Sequence, residues 1–160
     1  MNAAKKKLVD LDELVALGEV TVSYHIKKRS GFFVKSSKDL FELVRKLYSD
    51  GRINYEESTY AVLFSRSNEY IGHVKTGQGN ATGCVVNINK IFNAAIRTNA
   101  SGVILAHNHP SGNLTASRSD ISITEKVRDG LKFIDVALLD HCILSDATYL
   151  SMADEGIIKF

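Results

Sequence analysis

The sequence predicts one α/β domain with a mixed β-sheet flanked by helices, and three observations carry that prediction. Short alternating or wholly apolar runs interchange along the chain with segments of helical periodicity. The 160 residues are enough to bury one ordinary core without disulfide staples. Hydrophobic residues make up 44% and charged residues 24%, which argues against a disordered chain, a collagen and a membrane protein.

Residues 1–18 read as a mobile or weakly helical lead-in. Residues 19–27 (EVTVSYHIK) alternate, with Val20, Val22, Tyr24 and Ile26 on one face, and predict a strand. Ser36 and Ser37 stand before a helix over residues 39–48, where Leu40, Phe41, Val44, Leu47 and Tyr48 recur at helical spacing and Gly51 supplies the stop. Residues 59–65 (TYAVLFS) and 69–75 predict two strands joined in a hairpin at Arg66-Ser67-Asn68. Residues 76–83 (TGQGNATG) predict a glycine-rich loop, and 89–99 a helix with Ile91, Phe92, Ala95 and Ile96 inward. The short apolar run 101–106 (SGVILA) predicts a buried central strand. Ser117 opens a helix to about Gly130, and residues 134–139 and 142–144 are further strand material. No repeat, low-complexity tract or clear linker interrupts the chain.

Charge is distributed unevenly. Residues 1–52 carry 11 Lys/Arg against 7 Asp/Glu, a balance of +4, whereas residues 53–160 carry 9 against 11, a balance of −2. The excess comes from Lys5-Lys6-Lys7 and Lys27-Lys28-Arg29, which read as solvated clusters rather than a broad nucleic-acid face. Cys84 and Cys142 form no CxxC pair, which excludes a disulfide framework and disfavours a cysteine-built zinc site. Both read as small buried hydrophobes in a reducing compartment. The N-terminal apolar stretch is broken by Asp10, Asp12 and Glu13, unlike a secretory h-region, and no apolar run reaches 18 residues. These features together predict a cytoplasmic protein with no membrane partner.

The chain holds one proline where average usage gives about 8. It sits in Ala106-His107-Asn108-His109-Pro110-Ser111-Gly112, followed by Ser117-Arg118-Ser119-Asp120. Two histidines two apart at a strand end point to the same side, so both imidazoles can reach one ion. Asp120 supplies an anionic third ligand from the next element. Two imidazoles and a carboxylate suit Zn²⁺, with a fourth position left for water, as in catalytic zinc sites. Pro110 pushes His109 into the extended region, and Gly112 frees the chain to turn. Ser117 falls at an N-cap and Asp120 at N3, where the helix dipole favours the ionised carboxylate. Ser-x-x-Asp is also a variant capping box, which needs no metal.

The spacing His107-x-His109, seven residues, Ser117, two residues, Asp120 resembles the signature of the JAB/MPN (JAMM) zinc metalloprotease superfamily. The run from His107 to Gly112, with Leu138-Leu139-Asp140-His141, is similar to its RadC-like branch over roughly residues 53–158. The resemblance implies a single three-layer domain of JAB/MPN-like, cytidine-deaminase-like architecture at 53–160, with 1–52 as an N-terminal lead-in, strand and helix. It implies His107, His109 and Asp120 as zinc ligands, and a glutamate before an early strand as general base. Glu56 and Glu57 stand there, and Glu57-Ser58-Thr59-Tyr60-Ala61-Val62-Leu63-Phe64 fits the branch better, which selects Glu57. Ser117 is expected to hydrogen-bond the water or a developing oxyanion.

The expected activity is hydrolysis of a peptide or isopeptide bond in a protein or peptide substrate. A DNA-repair-associated or nucleic-acid-binding accessory protein with a structural or vestigial metal is the competing expectation. Full-length RadC-like proteins place a helical, DNA-binding-type region ahead of this domain; residues 1–52 lack its glycine pattern. A metal-dependent nuclease ranks lowest, because such sites commonly use two metals and more carboxylates.

Other motifs are weaker. Gly77, Gly79 and Gly83 do not have the GxGxxG spacing, HExxH is absent, and no PCxxC accompanies the histidines as in zinc deaminases. His25 and His73 are lone strand histidines, and Asp140-His141 reads as structural, either a charged turn or a support behind the site.

Overall fold

The computed structural model describes residues 29–48, 51–79 and 84–160. The expected strand at 19–27, with His25, and Gly83 of the glycine-rich loop lie outside the described residues.

Helix α1 (Ser37–Arg45) starts at Ser36, whose side chain accepts the Asp39 N–H, and buries Leu40 and Val44. A 3₁₀ turn (Lys46–Tyr48) follows; Gly51, at φ 78°, gives its N–H to the Tyr48 carbonyl, and a second 3₁₀ turn spans Arg52–Asn54. Strands β1 (Ser58–Phe64) and β2 (Tyr70–Gln78) form an antiparallel hairpin. Its turn is closed by Ser65 N–H to Glu69 O at 2.9 Å, with Asn68 left-handed. Strand β2 therefore takes in residues 76–78, which the glycines had predicted as loop; pairing with β1 as far as Ser58 overrides their weak strand propensity.

Helix α2 (Ile88–Thr98) is capped by Asn87 and ends on a left-handed Asn99. Ile91 and Ala95 are buried and Phe92 packs partly against them, but Ile96 is half exposed, contrary to expectation. Strand β3 (Gly102–Asn108) is buried along its whole length, as a central strand must be. Helix α3 (Arg118–Lys132) follows, and β4 (Ala137–Leu144) pairs parallel with β3. Residues 134–136, predicted as strand, instead form the bend into β4, with Asp135 left-handed. Strand β5 (Tyr149–Ser151) finishes the sheet, whose order is β2-β1-β3-β4-β5.

Side-chain alternation divides the core into two layers. Ala61, Leu63, Val103, Leu105 and Leu138 face α2 and α3; Val62, Phe64, Ile104, Ala106, Cys142 and Leu144 face α1. Helices thus cover both faces of a mixed sheet, in three layers. Residues 37–48, ahead of residue 53, pack on this sheet through Leu40, Val44 and Tyr48. Among the described residues, no helix is long and apolar enough to cross a membrane.

Candidate metal centre

Strand β3 delivers His107 on the α2/α3 face, and the chain continues in register past its end, where His109 N–H bonds Leu144 O at 2.9 Å. His109 to Gly112 is a β-turn closed by Gly112 N–H to His109 O at 2.9 Å. The lone proline takes the second position of this turn, where a fixed φ is favoured, and Gly112 is left-handed at φ 75°.

Asp120 comes from the first turn of α3. Ser117 caps that helix: its Oγ accepts Asp120 N–H at 3.1 Å and its O–H is 2.6 Å from Asp120 Oδ2, which also accepts Ser117 N–H at 2.7 Å. The capping box and the convergence on the histidines therefore coexist. The box fixes the carboxylate that faces them.

His107 Nε2 lies 2.8 Å from His109 Nε2 and 3.4 Å from Asp120 Oδ1; His109 Nε2 lies 3.7 Å from Asp120 Oδ2. One ligand atom from each residue falls within 4.8 Å of the others. A tetrahedral zinc with Zn–N bonds of roughly 2.0–2.1 Å separates its ligand atoms by about 3.3 Å, the middle of these distances. His109 Nδ1 sits 2.5 Å from the Asn113 carbonyl, which can only accept. His109 therefore carries its proton on Nδ1 and turns a bare Nε2 lone pair towards His107 and a carboxylate. Such a convergence of acceptors is stabilised by a cation, so the donor set fits a metal.

These groups line a cavity of about 520 Å³. Glu57, at the end of the segment leading into β1, lines it too, with Ser117, Cys84, Val85 and Ile123. Burial raises the Glu57 carboxyl above its ordinary value; the nearby His109 ring opposes the shift and the Asp120 carboxylate adds to it. Glu56 is engaged elsewhere: Gln78 bonds both of its carboxylate oxygens at 2.9 Å, and Arg52 lies 3.4 Å away. Burial depresses His107 to about 4, with Asp120 opposing and His109 adding to the shift. It depresses His141 well below the ordinary histidine range, with smaller contributions from His107 and His109. Both imidazoles are thus neutral at pH 7, the form that binds metal.

Of the two readings of Asp140-His141, the charged turn fails and the support behind the site stands: the pair is the buried middle of β4. His141 Nε2 is 2.8 Å from His107 Nδ1, and His141 Nδ1 is 2.5 Å from Thr124 Oγ1. Asp140 is structural: its carboxylate accepts Ser151 O–H, Ala153 N–H and His141 N–H. Asn108, between the two histidines, points to the opposite face. Its amide donates to Ile53 O at 2.6 Å and Glu56 O at 2.8 Å and accepts Ser58 N–H at 2.8 Å, so it clasps the segment carrying Glu57. Strand alternation alone puts residue 108 opposite 107, and that signal was available in the sequence. Cys142 is buried, but Cys84 is only partly so and lines the cavity; both are free thiols. His73 bonds Tyr70 on β2 and is not among the cavity residues.

Known proteins are similar to this chain over most of its length. A family model described as the RadC-like JAB domain matches residues 34–157. The chain belongs to the RadC-like JAB family. It is 37% identical over 125 residues to a UPF0758 protein of Flavobacterium johnsoniae, covering 78% of this chain and 53% of that protein. It is 38% identical over 113 residues to one of Fusobacterium nucleatum subsp. nucleatum (69% and 49%), and 32% identical over 126 residues to one of Methanosarcina mazei (79% and 54%). The chain therefore spans about half the length of the curated relatives it matches. Their names state no activity. A RadC-like JAB domain fits a superfamily of metal-dependent hydrolases, and the match includes α1 as well as the sheet.

Proposed function

We propose that this RadC-like JAB domain is a zinc-dependent hydrolase that cleaves an amide bond, peptide or isopeptide, in a protein or peptide substrate. The observation that carries it is the convergence of His107 Nε2, His109 Nε2 and an Asp120 carboxylate oxygen in a cavity that Glu57 also lines. His107, His109 and Asp120 would hold the ion. A bound Zn²⁺ supplies a water of lowered pKa, about 7, and polarises a carbonyl.

The chain's own residues supply the rest. Burial raises the proton affinity of Glu57, which suits a base that takes a proton from water and gives it to the leaving amine. Ser117 turns its O–H from Asp120 Oδ2 to a developing oxyanion. One carboxylate among three converging ligands favours amide over phosphate hydrolysis, since phosphate sites commonly pair two metals with more carboxylates.

The test is an internally quenched peptide library screened with zinc-loaded protein. Glu57→Gln is expected to keep its metal and lose roughly 10²–10⁴ in rate on any substrate found. Equal turnover by that variant would remove Glu57 as the base. Metal analysis of wild type against His109→Ala tests the ligands, and wild type without near-stoichiometric zinc under replete conditions would overturn the metal site.

A further inference from the structure

We propose that Thr124 and His141 are positioning residues that lock the tautomer of His107, so that its Nε2 lone pair is turned towards the metal. The inference rests on the metal reading above and adds to it two residues outside the ligand set.

The direction of each hydrogen bond follows from the one group in the chain that can only accept. Thr124 Oγ1 lies 2.5 Å from the Asp120 backbone carbonyl, one helical turn back. A carbonyl has no proton, so the threonine hydroxyl donates to it. The other acceptor near that hydroxyl, Met152 Sδ at 3.8 Å, is a poor competitor. Back-bonding of this kind is common for threonine in helices and would mean nothing alone. Here it uses the only proton the hydroxyl has. At the same oxygen His141 Nδ1 approaches to 2.5 Å, so the imidazole must be the donor there.

His141 is 1% exposed, and a second proton would make it a buried cation with no carboxylate against it. Its Nε2 is therefore bare and accepts. Across 2.8 Å stands His107 Nδ1, which must then carry the proton of that ring. The outcome is a His107 Nε2 without hydrogen, 2.8 Å from the bare His109 Nε2 and 3.4 Å from Asp120 Oδ1. The chain begins at the backbone of one ligand, Asp120, and ends on the ring of another, His107. It couples the first turn of α3 to the end of β3. Ligand histidines commonly need such an outer partner, and its loss costs about 10–100-fold in metal affinity.

Replacing Thr124 by valine keeps the shape and removes the acceptor. His141 Nδ1–H would then face a methyl group, and the ring escapes by moving its proton to Nε2. That proton points at His107 Nδ1 and drives the His107 proton onto Nε2, where it blocks the metal.

Two measurements test this on the whole chain. Long-range ¹⁵N–¹H spectra of metal-free protein labelled at histidine read each tautomer directly. Competition with a chromophoric chelator reads Zn²⁺ affinity. Wild type should show His107 and His141 both protonated at Nδ1. Thr124→Val should shift both towards Nε2 and weaken Zn²⁺ about 10–100-fold, while Thr124→Ser, which keeps the hydroxyl, should restore both. A wild-type His141 protonated at Nε2 overturns the lock whether or not any variant folds. So does a Thr124→Val protein with unchanged tautomers and affinity. Wild type with both Nδ1 protons but no Zn²⁺ uptake would instead show that the metal reading had failed, and the lock would lose its purpose with it.

Discussion

Acidifying the metal-free protein should destabilise it steeply between pH 6.5 and about 4. Unfolded, His107 titrates near 6.5; folded, it titrates at about 4, because burial penalises its cation. Above pH 6.5 the ring is neutral in both states and contributes no slope. Below 6.5 the unfolded chain binds a proton that the folded chain refuses, so stability falls as pH falls. The fall ends where the folded ring finally titrates, near 4. A gap of roughly 2.5 pH units, at about 1.4 kcal/mol each, makes this about 3 kcal/mol from His107 alone. His141 is shifted the same way and steepens the slope within the same window. Glu57 works in the opposite direction: its raised folded pKa lets the native state take up a proton first as pH falls. Asp39 and Asp129, held low by hydrogen bonds to Lys35 and Arg128 respectively, are exposed and lose their contribution only below the ordinary carboxylate range.

The assay is urea unfolding of chelator-stripped protein at steps from pH 7.5 to 4.5, with the ring protons of the histidines followed by NMR in the same buffers. A stability flat across that interval, or His107 and His141 titrating near 6.5 in the folded protein, would refute the reasoning.

Two further outcomes follow from the hydrogen bonding. Asn108→Ala leaves the Ser58 N–H and the Ile53 and Glu56 carbonyls without their buried partner and is expected to cost about 3 kcal/mol or more in denaturant unfolding. Substrate turnover should fall further than metal content in that variant, because the segment bearing Glu57 is released while the ligands stay. Ser117→Ala removes the cap of α3 and should cost about 1 kcal/mol of stability. It should also weaken zinc binding, measured by chelator competition, since Asp120 loses the O–H that orients it.

The parts of this fold that were legible in the sequence are those where one physical signal acts alone. Two strand-like runs either side of Arg66-Ser67-Asn68 marked the β1–β2 hairpin, an unbroken apolar run marked β3, and Ser117 marked the start of α3. Strand β4 was read as two pieces because Asp140 and His141 interrupt its apolar run. Both are buried, but their partners are supplied by Ser151, Ala153 and Thr124, at distances along the chain that no local pattern reveals. Periodicity puts Ile96 inward, yet α2 packs through Ile88, Ile91, Phe92, Ala94 and Ala95 and leaves Ile96 half exposed. At the site, the His-x-His spacing and Asp120 were visible because strand and helix geometry alone set them side by side. Thr124 is one helical turn beyond Asp120, but its importance depends on β4 lying beneath it, and that is a property of the tertiary fold.

Strand β3 has one further consequence for anyone moving this site to another scaffold. His107 and Asn108 are joined by one peptide bond and work on opposite sides of the sheet: the first reaches into the cavity, and the second grips the segment that ends in Glu57. The spacing between ligand and base is thus written across the thickness of a strand, not along a loop. A graft of the histidine pair onto a foreign strand end would carry over the ligands without the clasp that holds the base in reach. The transplantable unit is β3 together with residues 53–58, two segments about fifty residues apart that the Asn108 amide ties together.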